Sequence, residues 1–148
     1  MDANKIKQLR DQTGLSFAQI NKALSAAGGD EAKAIEILKS QAGDVAAKKS
    51  GRDVNEGVID SYVHSNGKIG AMVELLCETD FVAKNQEFKS LAHDIVMHIT
   101  AMKPNDNEEL LAQPFVKNPA VTVGELITRI IQKVGENIKV GRFEIFEI

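Results

Sequence analysis

The chain has 148 residues, enough for one domain or one domain with a small appendage, and 43% of them are hydrophobic, an ordinary share for a core of that size. A formal net charge of −3, no Trp and a single Tyr argue against a general nucleic-acid binder, which should carry a basic excess and aromatic platforms for bases. The lone Cys77 excludes an internal disulfide, no apolar run approaches the roughly 20 residues of a membrane span, and the polar stretch Met1-Asp2-Ala3-Asn4-Lys5 lacks the apolar centre of a secretory signal, so a cytoplasmic protein is expected.

Residues 2–42 read as three short helices. The first, about 4–12, carries Ile6 and Leu9 on one side and ends at Thr13-Gly14. The second opens at Ser16-Phe17-Ala18-Gln19, a capping-box pattern, and Phe17, Ile20 and Leu24 recur at helical steps on one face. Gly28-Gly29 breaks the chain, Asp30 caps the third helix, and Ala34, Ile35 and Leu38 form its apolar face. A unit of about 40 residues is marginal alone, which suits a recognition module. Residues 43–56 read as a connector with a basic cluster, Lys48, Lys49 and Arg52, either a solvated linker or a contact for phosphate.

The pattern then changes to strands. Residues 57–65 alternate in part, Asn66-Gly67 signals a type I′ hairpin turn, and the return run 68–77 puts Ile69, Ala71, Val73, Leu75 and Cys77 on one core face. Cys77 reads there as a small buried hydrophobe rather than a nucleophile. The stretch Glu78-Thr79-Asp80-Phe81-Val82-Ala83-Lys84-Asn85 follows as a loop. Its Asp80-Phe81 pair is unusual, because the charge favours water and the ring favours burial. Either the ring tucks under its own sheet or the pair is offered to a partner, as loops on rigid scaffolds often do.

Asn85 can cap a helix whose apolar side is Phe88, Leu91, Ala92, Ile95, Ile99 and Met102, stopped by Pro104-Asn105-Asp106. Residues 103–121 are loop-like. Thr122-Val123-Gly124-Glu125 offers a second capping box, followed by the stripe Val123, Leu126, Ile127, Ile130, Ile131 and Val134, with Gly135 as the end. In the final strand, 138–148, Ile138 and Val140 share a face with Phe146 and Ile148 while Phe143 and Ile145 take the other, unless a bulge at Gly141 shifts the phase. The expected architecture is α+β, a short antiparallel sheet packed with helices, behind a three-helix module: 1–42 module, 43–56 linker, 57–148 core.

Sites for chemistry are absent from the pattern. The glycines lack the spacing and lysine of a phosphate loop, and His93 and His98 are five residues apart, off the three- or four-residue step by which one helix face holds a metal. His64 sits at a hairpin end, and Glu74 and Glu78 form no acid-base pair. No cofactor, no metal and no enzyme are expected, and a binding role is favoured.

Particular residues then match a known family. Leu9-Arg10 with Thr13-Gly14, Lys22-Ala23-Leu24, Gly29-Asp30 and Ala34-Ile35-Glu36 resemble the N-terminal ubiquitin-associated-like module of the elongation factor Ts family. Lys48-Lys49-Ser50-Gly51-Arg52 with Glu56-Gly57 resembles its linker, and Val73-Glu74, Cys77-Glu78-Thr79-Asp80-Phe81-Val82-Ala83 and Gly135-Glu136-Asn137-Ile138 resemble its core. The likeness runs in order over nearly the whole chain.

The resemblance implies guanine-nucleotide exchange on elongation factor Tu, a translational GTPase. It assigns Asp80 and Phe81, with Thr79 and Val82 beside them, to a loop inserted near the partner's nucleotide and Mg²⁺ site. It also assigns Arg10, Phe17 and Ala18 to contacts of the N-terminal module with the GTPase domain, and Val134 and Gly135 to a contact from the core. Phe17, Ala18 and Gln19 depart from the methionines and aspartate that the family often carries there. Longer members have two core subdomains and a protruding helical hairpin, for which this chain has no room. Short members work as dimers, some bridged by a cysteine in the last strand. Arg142-Phe143-Glu144-Ile145 has none, so the implied homodimer is non-covalent. No membrane and no direct nucleic-acid contact are expected of such a protein. The alternatives are a small RNA-binding α+β protein using Lys48, Lys49 and Arg52, and an enzyme using Cys77.

Overall fold

A computed structural model describes residues 2–148, so of the expected 1–42 module only Met1 lies outside the described residues. Asp2 caps α1 (Ala3–Thr13), which ends at Gly14 with a left-handed φ of 69°. Ser16 caps α2 (Phe17–Ala26) through the full reciprocal box: its hydroxyl accepts from the Gln19 N–H, and the Gln19 side chain accepts from the Ser16 N–H. Ile20 and Leu24 are buried as the spacing predicts, but Phe17, expected on the same face, is 55% exposed. It occupies the first helical position, where its ring turns away from the module's interior.

Asp30 caps α3 (Glu31–Lys49), which corrects the expected connector. Residues 43–49 continue the helix, because Gly43 is a single weak position among good helix formers and Ala46 packs against the core beyond. Only the short stretch between α3 and the first strand is irregular. The module closes around Ile6, Leu9, Ile20, Leu24, Ala34 and Leu38, and its α3 lies on a core helix described below.

Strands β1 (Glu56–Val63) and β2 (Ile69–Cys77) form an antiparallel hairpin. Its connection is not the expected two-residue type I′ turn. The Gly67 N–H donates to His64 O at 2.8 Å, and of the two turn residues only Gly67 has positive φ, while Asn66 Oδ1 accepts from the Lys68 N–H at 2.9 Å. Asn-Gly suits this longer loop equally, with glycine in the left-handed position.

After β2 come α4 (Asp80–Ala83) and α5 (Gln86–Met102), the latter capped by Asn85. Met102, expected on the apolar side of α5, is exposed in its last turn. The segment expected as loop holds α6 (Asn107–Ala112) and a small hairpin of β3 (Pro114–Phe115) with β4 (Asn118–Thr122). These pieces are too short to show a period. They are fixed by burial of Leu110, Phe115 and Val121 and by His98. That imidazole is fully buried, accepts from the Val116 N–H at Nδ1 (3.1 Å) and meets Gln113 Oε1 with Nε2 (2.9 Å), and burial holds it below its usual pKa.

Thr122 caps α7 (Val123–Val134) by accepting from the Glu125 N–H, but the second arm of the expected box is absent: the Glu125 carboxylate instead faces Lys39 of α3 at 3.6 Å. Gly135 ends the helix with φ of 77°, and β5 (Ile138–Glu147) completes a three-stranded sheet of order β1-β2-β5. Val73 faces Phe143 but Leu75 faces Val140, so the bulge at Gly141-Arg142 is present. It keeps Ile138, Val140, Phe143 and Ile145 against the core and leaves Phe146 and Ile148 outside. Arg142 pairs with Glu74 across the bulge, and that hydrogen bond lowers the Glu74 pKa. The inner face of the sheet is covered by α5, with α7 packed against that helix, and Phe88, Leu91, Ile95, Ile99 and Ile131 lie between them. Cys77 is fully buried there and its thiol is pushed up to about 11 by burial, an inert setting.

Candidate functional site

The stretch expected as a loop is one turn of helix, and its sequence explains why. Thr79 holds an extended backbone and its hydroxyl oxygen accepts from the Val82 N–H at 3.3 Å, an N-cap. Ala83 N–H donates to Thr79 O and Lys84 N–H to Asp80 O, both at 3.1 Å. Asn85 then stops the turn and starts α5, its Oδ1 accepting from the N–H groups of Glu87 and Phe88. With one turn and a buried floor, alternate pairs of side chains must diverge. Val82 and Ala83 point into the core, and Asp80 and Phe81 point to water, with Phe81 85% exposed. The Asp80 carboxylate meets Lys84 Nζ at 2.7 Å, one helical turn on, and this hydrogen bond raises the Lys84 pKa.

Among the residues expected to meet a partner, the geometry therefore divides the quartet. Asp80 and Phe81 are presented, and Thr79 is exposed but occupied as a cap. Val82 is only 5% exposed and anchors the turn from below, so its expected place in a direct contact is corrected to an indirect one. Gly135, exposed at the end of α7, joins the turn through its neighbour Glu136, which hydrogen-bonds Thr79, and Val134 is half-buried beside it.

Arg10, Phe17 and Ala18 are all exposed on the N-terminal module. The module's near end rests on the C-terminal half of α7, where Arg129 donates to Gln12 O at 3.3 Å and Lys133 packs over Gly14. Lys133 also pairs with Glu87 of α5 at 2.6 Å. The final turns of α7 thus hold both the module and the first turn of α5, which follows the Phe81 turn. Of the basic cluster, Arg52 is paired with Glu78 at 3.7 Å, while Lys48 and Lys49 lie in the last turn of α3, where cations complement the helix dipole.

Two residues with a part in this arrangement, Glu136 and Asn137, carry no sign of it in composition or period. Their partners lie between 57 and 87 residues away, so a local pattern cannot show them.

Among the described residues no group of three or more His, Cys, Asp or Glu could hold a metal ion, and no helix is long and apolar enough to cross a membrane. His93 pairs with Asp60 at 3.1 Å, far from any role shared with His98.

A family model described as Elongation factor TS matches residues 78–148. Elongation factor Ts of Carboxydothermus hydrogenoformans is 40% identical, with 97% of this chain and 87% of that protein covered. The protein of the same name from Rubrobacter xylanophilus is 36% identical with 97% of each covered. That of Desulforamulus reducens is 37% identical over the full chain and 89% of the relative. The last alignment spans 193 residues, more than the 148 of this chain, so that relative carries residues without a counterpart here.

Proposed function

The chain belongs to the elongation factor Ts family, and from that premise we propose that it promotes GDP release from elongation factor Tu by presenting Asp80 and Phe81 near the GTPase's nucleotide and Mg²⁺ site. The observation that supports this most is the exposed ring of Phe81 on a turn fixed by its own cap and by a buried Val82. Leaving a phenylalanine in water forgoes roughly 1.5–3 kcal/mol of burial. That cost is recovered if the ring enters a partner.

The mechanism is differential binding. A factor that prefers the nucleotide-free conformer lowers nucleotide affinity, and the nucleotide lowers the factor's affinity by the same ratio. No bond is made or broken, and the protein acts in the cytoplasm without a cofactor. Arg10, Phe17 and Ala18 supply a second contact from the module, and Gly135 with the rim of Val134 a third.

Release of a fluorescent GDP analogue from elongation factor Tu tests the reading. Phe81→Ala should lower the stimulated rate by about tenfold or more while leaving the melting curve unchanged, and Asp80→Ala should have a smaller effect of the same sign. An unchanged rate with Phe81→Ala, or a stability loss of about 3–5 kcal/mol as for a truncated core ring, overturns it.

A second observation favours a non-covalent homodimer. The outer face of the sheet exposes Ile59, Val63, Met72 and Phe146, with Phe146 at 74% and Ile148 beyond it. Ile59, Val63 and Met72 stand on the face opposite the core, and nothing among the described residues covers them. A second copy would close this face, with about 1,200 Å² or more buried in total. Light scattering at micromolar concentration should give a dimer mass that withstands reductant and falls with Phe146→Asp. A monomer mass for the unaltered chain rejects it.

A further inference from the structure

Glu136 and Asn137, the two residues after the glycine cap of α7, each reach a different distant segment. Glu136 Oε1 accepts from the N–H groups of Glu78 (3.1 Å) and Thr79 (3.0 Å), and Oε2 accepts from the Thr79 hydroxyl at 2.7 Å. That hydroxyl in turn accepts from the Val82 N–H, so the carboxylate and the cap form one chain of bonds ending in the Phe81 turn. Asn137 is 2% exposed, and its side-chain amide donates to Ser50 O (3.4 Å) and Arg52 O (2.8 Å), fixing the stretch that follows α3. Arg52 closes the circuit by pairing with Glu78 at 3.7 Å.

A single helical turn is too short to hold itself, since nucleation fixes several residues for one hydrogen bond. The Glu78 and Thr79 N–H groups are oriented donors at the end of a strand, and bonds to a carboxylate are stronger than neutral ones. A contact that prefers one orientation gains affinity when the presenting groups are already set in it.

We propose that Glu136 and Asn137 are positioning residues of one junction: Glu136 sets the turn that lifts Phe81, and Asn137 sets the linker that carries the N-terminal module, so that both contact sets meet the GTPase at a fixed spacing. This rests on the exchange reading above.

The test separates the two. In the free, unaltered protein, the Thr79 amide should exchange slowly with solvent by nuclear magnetic resonance although the residue is exposed, and Glu136→Gln should speed the exchange of the Glu78 and Thr79 amides. Rapid exchange in the unaltered protein overturns the clamp whatever the GTPase does. Glu136→Gln should lower the maximal rate of GDP release by about tenfold with little change in melting, and should add nothing in a Phe81→Ala background. A normal maximal rate, or a loss that adds in full to that of Phe81→Ala, rejects the positioning role. Asn137→Ala should raise the concentration for half-maximal release without lowering the maximal rate. If that chain does not melt cooperatively, Arg52→Gln, which cuts only the bridge to Glu78, should shift the same parameter. Failure of both shifts overturns the linker half. If Phe81→Ala itself leaves release unchanged, the exchange reading fails, and amide exchange still decides the clamp.

Discussion

The N-terminal module and the core bury their apolar surface by different means. The module closes round aliphatic side chains with no aromatic among them, whereas the core buries Phe88 and Phe115. One element serves both: α3 gives Ala34 and Leu38 to the first cluster and leans Ala46 against the second. A unit of about 40 residues is near the lower limit for independent stability. The difference teaches that the module, with this small interior, is held also by a long helix that docks on α7.

The largest effect that would sharpen the contrast belongs to the core. Phe88→Ala should cost about 3–5 kcal/mol in denaturant melts, enough to unfold most of a marginal chain, whereas Phe81→Ala, seven positions earlier, should leave the same melts unchanged. Removal of residues 1–42 should be milder. It cuts α3 within its length, yet the remainder should still melt in one cooperative step while its affinity for the GTPase falls. An unfolded or aggregated remainder would show that the core depends on the module as well.

A smaller effect reports on the β3-β4 hairpin. His98 is depressed by burial, so the unfolded chain binds the proton more readily. The stability it confers is complete above its unfolded value near 6.5 and is lost as pH falls below that, by at most about 1.4 kcal/mol per pH unit for one proton. His98→Gln should flatten that slope in urea melts between about pH 6.5 and 5. A slope unchanged by the substitution would place the titration elsewhere. The smallest effect tests the docking of the module: a double-mutant cycle on Lys39 and Glu125, both well exposed, should give about 0.2–1 kcal/mol of coupling. A value near zero would leave the apolar contact of α3 with α7 as the tie.

Much of this was legible in the residues. The long periodic helices α5 and α7, the core face of β2 and the caps at Ser16, Asp30, Asn85 and Thr122 follow from spacing and side-chain chemistry. The continuation of α3 past Gly43 was hidden, because local basic and glycine residues resemble a linker while the packing that sustains the helix comes from a distant element. The hairpin within 103–121 was hidden because two to six residues carry no period. At the candidate site, Asp80 and Phe81 stood out as an ill-matched pair, but the helical turn beneath them depends on burial of Val82 and on Glu136, whose bonds span more than fifty residues. Whether Gly141 shifts the phase of β5 could not be decided from alternation alone, and the register settles it.

The middle position of β2 has a consequence for the order in which the chain matures at the ribosome. β1 precedes β2 by a short loop and can pair with it as soon as both emerge, but the other edge of β2 waits until α5, α6 and α7 have been made, since Cys77 pairs with Ile138. The N-terminal helices can gather early around their own local cluster, but the docking of α3 waits for α7. Meanwhile a two-stranded ribbon is marginal in water and carries an open edge of unpaired backbone groups beside an uncovered apolar face. A nascent chain that stalls before α7 is made therefore holds an undocked module beside an unfinished sheet, the state most exposed to chaperones and to pairing with other chains.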